Sequence, residues 1–225
     1  MYKNISELKN KHKDEDIWIV LAGSSMNYVS DSFFKNKIVL CANQVYKHYS
    51  CNYIVMKDCM ETPRYTRSVQ ECKEKGIPLI FSEYFKGDDS KELNTPDYEN
   101  SYFFKHNSKR TEFDYNLENL KEDEILSSKS TAASIIHIAA YMGAKNIILC
   151  GHDCGRLDGD MYYEGYMESD WISSENWPGI DSHTSKIEIE TQKLRLYLME
   201  TYDCNIHSLN PFLNFGLEGH NFVKS

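Results

Sequence analysis

Short runs of consecutive apolar residues recur along the chain, and each stops abruptly at a small or polar residue. Ile17-Trp18-Ile19-Val20-Leu21-Ala22 stops at Gly23-Ser24-Ser25, and Lys37-Ile38-Val39-Leu40-Cys41-Ala42 stops at Asn43-Gln44. Tyr53-Ile54-Val55-Met56 stops at Lys57-Asp58. A run that is apolar at successive rather than alternate positions predicts a strand buried on both faces, as in a parallel sheet. Pro63 to Lys75 reads as a helix closed by Gly76, and Ile77-Pro78-Leu79-Ile80-Phe81 as a fourth strand.

From about Lys86 to Glu124 no period is sustained, and loops with a short strand around Tyr102-Phe103-Phe104 are expected. Order returns at Ser130-Thr131, which can cap a helix running from Ala132 to Met142 and closed by Gly143. That helix is apolar nearly all round, so it should lie buried against the sheet. Asn146-Ile147-Ile148-Leu149-Cys150 is the next strand, stopped at Gly151-His152-Asp153. Helix, tight turn, apolar strand and polar stop together describe a crossover unit of a parallel sheet. Residues 155–181 form a long loop rich in Gly, Asp and aromatics, read as a lid. A last helix covers about Ser185 to Tyr202, with Ile187, Glu190/Thr191, Leu194 and Leu198 on one face; Cys204 to Ser208 is a final strand. The expected architecture is therefore α/β and Rossmann-like: one domain over residues 1–225, a mostly parallel sheet flanked by helices, and an aromatic lid loop.

Composition narrows the function. A formal net charge of −9 argues against a general grip on nucleic acid, which needs a basic face. No stretch approaches the roughly 20 apolar residues that span a bilayer, and Met1 to Asp16 is too polar for a signal core, so a cytoplasmic protein is expected. The seven cysteines are scattered and without a CxxC pair, which suits reduced thiols. Cys150, His152, Asp153 and Cys154 crowd together, but no second pair stands at zinc-ligand spacing, and no metal site is assigned.

In open α/β sheets the ligand crevice lies outside the carboxyl ends of the strands. Gly23 would let a ligand approach the backbone; Ser24 and Ser25, with free amides at a following helix start, could hold a phosphate or sugar hydroxyl. Asn43 could read a base or ribose edge. Turn chemistry explains any one of these residue types alone, and it is their coincidence on one sheet edge that favours binding. Walker, GxGxxG and GxSxG signatures are absent. His183, just ahead of the last helix, could act as a general base, although by position alone an exposed histidine near a helix start is the better explanation. Tyr162 and Tyr163 could donate hydroxyls to a departing phosphate, or could simply pack the lid.

Taken in order, these motifs resemble the bacterial sialyltransferases of glycosyltransferase family 42 and the related motility-accessory-factor and MptE-like proteins. The resemblance rests on Ile19 to Met26, Cys41 to Tyr46, Ser130-Thr131-Ala132, Tyr141 to Asp153 and His183-Thr184-Ser185-Lys186, followed by a helix and a strand ending at Asn210-Pro211. It implies a CMP-activated sugar donor, an acceptor hydroxyl on a glycan or other molecule, no cofactor and no metal, and inversion at the anomeric carbon. It further implies that Gly23, Ser24, Ser25, Asn43, Ser130, Thr131, Gly151 and Asp153 surround the nucleotide. Tyr162 or Tyr163 would meet the phosphate, and His183 would deprotonate the acceptor. Some positions depart from the pattern: a tyrosine expected near Cys154 is missing, and Thr-Ser-Gly becomes Ser130-Thr131-Ala132.

Two other functions stand beside a sialyltransferase-like enzyme. One is an MptE-like pyrophosphokinase that uses ATP and Mg²⁺, for which Asp58, Asp153 and Asp158 are the candidate ligands. The other is a non-catalytic nucleotide- or sugar-binding module. A homo-oligomer is compatible with each of them.

Overall fold

The computed structural model describes residues 2–59, 63–83, 96–107, 124–126, 130–166 and 180–209. In chain order the strands and α-helices are β1 (Lys3–Asn4), β2 (Asp16–Val20), β3 (Ile38–Ala42), β4 (Tyr53–Cys59), α1 (Pro63–Lys75) and β5 (Leu79–Glu83). They continue with β6 (Ser101–Phe103), β7 (Lys105–Asn107), β8 (Glu124–Leu126), α2 (Thr131–Tyr141), β9 (Asn146–Cys150), α3 (Ile180–Tyr202) and β10 (Asn205–Ser208). Eight strands form one sheet in the order β1-β6-β5-β4-β3-β2-β9-β10, with every neighbouring pair parallel. The fold is the expected Rossmann-like α/β architecture.

Burial on both sheet faces accounts for the continuous apolar runs. Ile17, Ile19, Leu40, Val55, Ile147 and Leu149 face α2 and α3. Trp18, Val20, Cys41, Ile54, Ile148 and Cys150 face the opposite layer, which holds α1 residues Tyr65 and Cys72. Helix α2 is buried from Ala132 to Tyr141, as its apolar circumference requires. On α3, Thr191, Leu194 and Leu198 point inward, as their spacing predicts.

Four details differ from the sequence reading. The turn after β2 is a 3-10 helix, Ser24–Tyr28, not an α-helix start, and Asn43–Lys47 after β3 is a 3-10 helix as well. Ser, Asn and Asp between Ser24 and Asp31 compete with helical backbone bonding, which favours such short turns. Ser130 occupies the N-cap position of α2, but its side chain does not cap the helix. Helix α3 begins at Ile180, which puts His183 in its first turn and shortens the lid. A two-residue strand, β1, pairs with β6, and β7 pairs with β8 in a separate small sheet.

Candidate functional site

From β2 the chain steps outward through β3, β4, β5 and β6, then returns with β9 on the other side of β2. The strand order therefore reverses between β2 and β9, the place at which open α/β sheets form their ligand crevice. Both turns bordering it come from the predicted motifs, Gly23-Ser24-Ser25 and Gly151-His152-Asp153.

The two turns are tied together at very short range. Beyond the strands, Leu21 N–H donates to Cys150 C=O at 2.9 Å and Gly23 N–H to Gly151 C=O at 2.9 Å. The Asp153 carboxylate accepts the Ser25 amide at 2.7 Å and the Ser25 hydroxyl at 2.5 Å. A Cβ on Gly23 would lie 2.5 Å from Asp153 Cγ, Asp153 Oδ2 and Gly151 O. Gly23 is thus required by space and not by its φ of −63°. Gly151 is required by both, since its φ is +68° and a Cβ would meet Leu21 O at 2.4 Å.

The Ser25 amide, expected to be free for a phosphate, already serves Asp153. The Ser24 hydroxyl donates to Asp160 C=O at 2.9 Å, which commits its hydrogen to the protein. Asn43 follows β3 in the left-handed region (φ 53°), a conformation asparagine tolerates, and stays partly exposed. Helices α2 and α3 run back towards the amino ends of the strands that follow them. Their N-termini, with Ser130, Thr131 and the His183 backbone, consequently open on the same carboxyl edge as the crevice. Helix N-termini carry partial positive charge, which favours an anion on that edge.

The described part of the lid, up to Tyr166, is docked. Leu157 and Asp160 exchange backbone bonds of 3.0 Å around Asp158 and Gly159, both at positive φ, a two-residue hairpin turn. Tyr28 donates its hydroxyl to Asp158 at 2.9 Å. Further on, Tyr162 bridges Gly23 in antiparallel fashion and Tyr163 N–H donates to Ala22 C=O at 3.1 Å. Tyr162 stays partly exposed, its ring 5.4 Å from Tyr166, and burial raises its phenol pKa. Tyr163 is only 4% exposed, packed edge-on against His48 and Tyr49, and among the described residues its hydroxyl has no hydrogen-bond partner. The remainder of the lid, 167–179, and the His183 side chain lie outside the described residues.

The His152 ring faces α3. His152 is 4% exposed with Nε2 2.8 Å from Thr191 Oγ1, and burial lowers its pKa to about 4. Burial pushes the Cys154 thiol up to about 12. Among the described residues, no cluster of three or more His, Cys, Asp or Glu side chains is placed to hold a metal ion, and no helix is long and apolar enough to cross a membrane. The Ser25–Asp153 pair and the docking of the hairpin were not foreseen. The Asp158-Gly159 dipeptide was the available signal for the hairpin; nothing local signals a carboxylate that reaches across to a distant serine.

Fold and crevice together define a Rossmann-like α/β protein whose polar turns meet at the topological switch point. A family model described as 6-hydroxymethylpterin diphosphokinase MptE-like matches residues 1–159, and the chain belongs to this MptE-like family. No curated protein and no solved structure matches it.

Proposed function

We propose that the protein is a nucleotide-dependent transferase that holds the donor's phosphates in the β2/β9 crevice and passes a group to an acceptor hydroxyl. The carrying observation is the Asp153 carboxylate, fixed by Ser25 beside a glycine that leaves no side chain between them. Asn43, Ser130 and Thr131 line the same edge and are assigned to the nucleotide.

The family description makes diphosphoryl transfer from ATP the first chemistry to consider. Mg²⁺ characteristically binds through one or two carboxylates plus substrate phosphates, so one fixed carboxylate fits such a site without a full protein cage. Ser25 engages both oxygens of that carboxylate and so holds it at the turn proposed to face the phosphates. Bound there, Mg²⁺ would neutralise charge on the phosphates. The chain's own part is to fix Asp153, present the positive ends of α2 and α3, and keep side-chain bulk off Gly23.

A second reading is transfer of a sialic-acid-type sugar from a CMP donor without metal. It is favoured by Tyr162, a phenol fastened to Gly23 at the rim, which can support a departing phosphate as a neutral donor. His183, in the first turn of α3, would then be the acceptor base.

Thermal stabilisation separates the two. Ligand at a hundredfold excess over Kd stabilises by about 2.7 kcal/mol. A shift with ATP and Mg²⁺ that EDTA abolishes, with AMP released when 6-hydroxymethylpterin is added, supports diphosphoryl transfer. A shift with CMP that EDTA leaves intact supports sugar transfer. Binding without turnover points to a module, and no shift with either nucleotide removes the crevice assignment.

A further inference from the structure

Consecutive residues of the loop after β9 grip opposite sides of the molecule. Asp153 holds Ser25 after β2, while His152 reaches α3 through Thr191. Thr191 Oγ1 also lies 2.9 Å from Ile187 C=O, so its one hydrogen is shared between that carbonyl and the ring, and Cys154 Sγ lies 3.5 Å from the same nitrogen. His152 and Thr191 are 4% and 3% exposed, so water does not compete for this bond.

Thr191 lies about two turns beyond His183 along α3, on the order of 12 Å at 1.5 Å per residue. A bond there sets both the rotation and the axial position of the helix whose first turn opens on the crevice edge. We infer that His152 is a positioning residue: it locks α3 to the Asp153 loop, so that the acceptor side of the site keeps its register against the nucleotide side. This rests on the crevice reading above, but the lock has readouts that need no turnover.

The experiment compares wild type, His152→Leu, His152→Gln and Thr191→Val. Gln restores a hydrogen-bonding group at the Nε2 position; Leu removes it; Val removes the hydroxyl that the ring bonds. Amide exchange over Ile180–Ile189 should accelerate at least tenfold in the Leu and Val variants and return to within about threefold of wild type in the Gln variant. Exchange in β2 and β3 should stay unchanged. With ATP and Mg²⁺ or CMP as probe, nucleotide Kd should move less than about twofold, while kcat falls about ten- to hundredfold in the Leu variant, the scale of a small misplacement. Exchange unchanged in the Leu variant overturns the lock. If exchange behaves as expected but no nucleotide binds the wild type, the transferase reading fails and the lock survives as a structural one. If kcat in the Leu variant matches wild type, the positioning role is overturned.

Discussion

Replacing Gly23 by alanine adds one methyl group at the most crowded point of the crevice. Because Gly23 has a φ of −63°, alanine carries no backbone penalty there, and the whole effect is steric. The new Cβ would sit 2.5 Å from Asp153 Cγ, Asp153 Oδ2 and Gly151 O, about 1 Å inside ordinary contact. Gly151 is itself held by its neighbours, so the carboxylate is the group that must yield. Its displacement breaks the bonds from the Ser25 amide and hydroxyl. Bonds to a charged group contribute about 1.5–3 kcal/mol each, but the freed carboxylate regains water, so a net loss of about 2–4 kcal/mol is expected. For a chain of this length that lowers Tm by roughly 5–15 °C. Denaturant unfolding of Gly23→Ala, Asp153→Ala and the double variant is the assay. Two of the three clashes vanish with the carboxylate, so the pair should couple by about 1–2 kcal/mol in the sense that the double variant is more stable than additivity. A Gly23→Ala loss under about 0.5 kcal/mol, or strict additivity, would refute the claim that Gly23 exists to make room for Asp153.

Three further outcomes follow from the same coordinates. Burial lowers His137 to about 3 and His152 to about 4 from an ordinary 6.5, so the unfolded chain takes up protons first and stability should fall as pH drops below 6.5, levelling off below about 3. Between pH 7.5 and 5.0 the two rings together imply a loss of about 4 kcal/mol at most, and an unchanged urea midpoint would contradict it. Tyr163→Phe removes a buried hydroxyl that bonds nothing among the described residues, so stability should hold or rise by up to about 1 kcal/mol. Nucleotide-dependent activity that disappears in this variant would instead give Tyr163 a chemical role. Asn43→Gly keeps the left-handed turn and deletes only the amide, so the protein should fold normally while nucleotide affinity drops at least tenfold; unchanged affinity in a titration moves the pocket off β3.

What the sequence disclosed depended on how locally each feature is determined. Parallel strands buried on both faces must be apolar at every position, and so Ile17–Ala22 and Ile147–Cys150 could be read directly. The circumference of α2 was equally plain, and the polar stops marked the carboxyl edge where Gly23, Asn43 and Asp153 stand. The turn after β2 was misread as a helix start because serine suits an N-cap and a 3-10 turn alike. The pairing of Ser25 with Asp153 joins residues 128 apart and has no local trace. His152 drew attention as a metal ligand because it neighbours two cysteines; only the packing of α3 turns its ring towards Thr191.

The family match gives this division a functional sense. Residues 1–159 include the β2 turn, the β3 turn, the start of α2 and Asp153, which is the whole of the proposed nucleotide side. Tyr162, Tyr163 and α3 with His183 all fall beyond it. On the proposed reading, the shared part therefore fixes the donor's phosphates, with Tyr162 beside them at the rim, and α3 meets the acceptor. The two parts are joined at one loop, where Asp153 faces the shared turns and His152 faces α3. An acceptor side built on a separate helix can diverge while the crevice floor is kept, because the contacts that make the floor, Gly23 to Gly151 and Ser25 to Asp153, involve no residue of α3. Chemistry at the phosphates is thus to be sought from the family description, and the identity of the acceptor from α3.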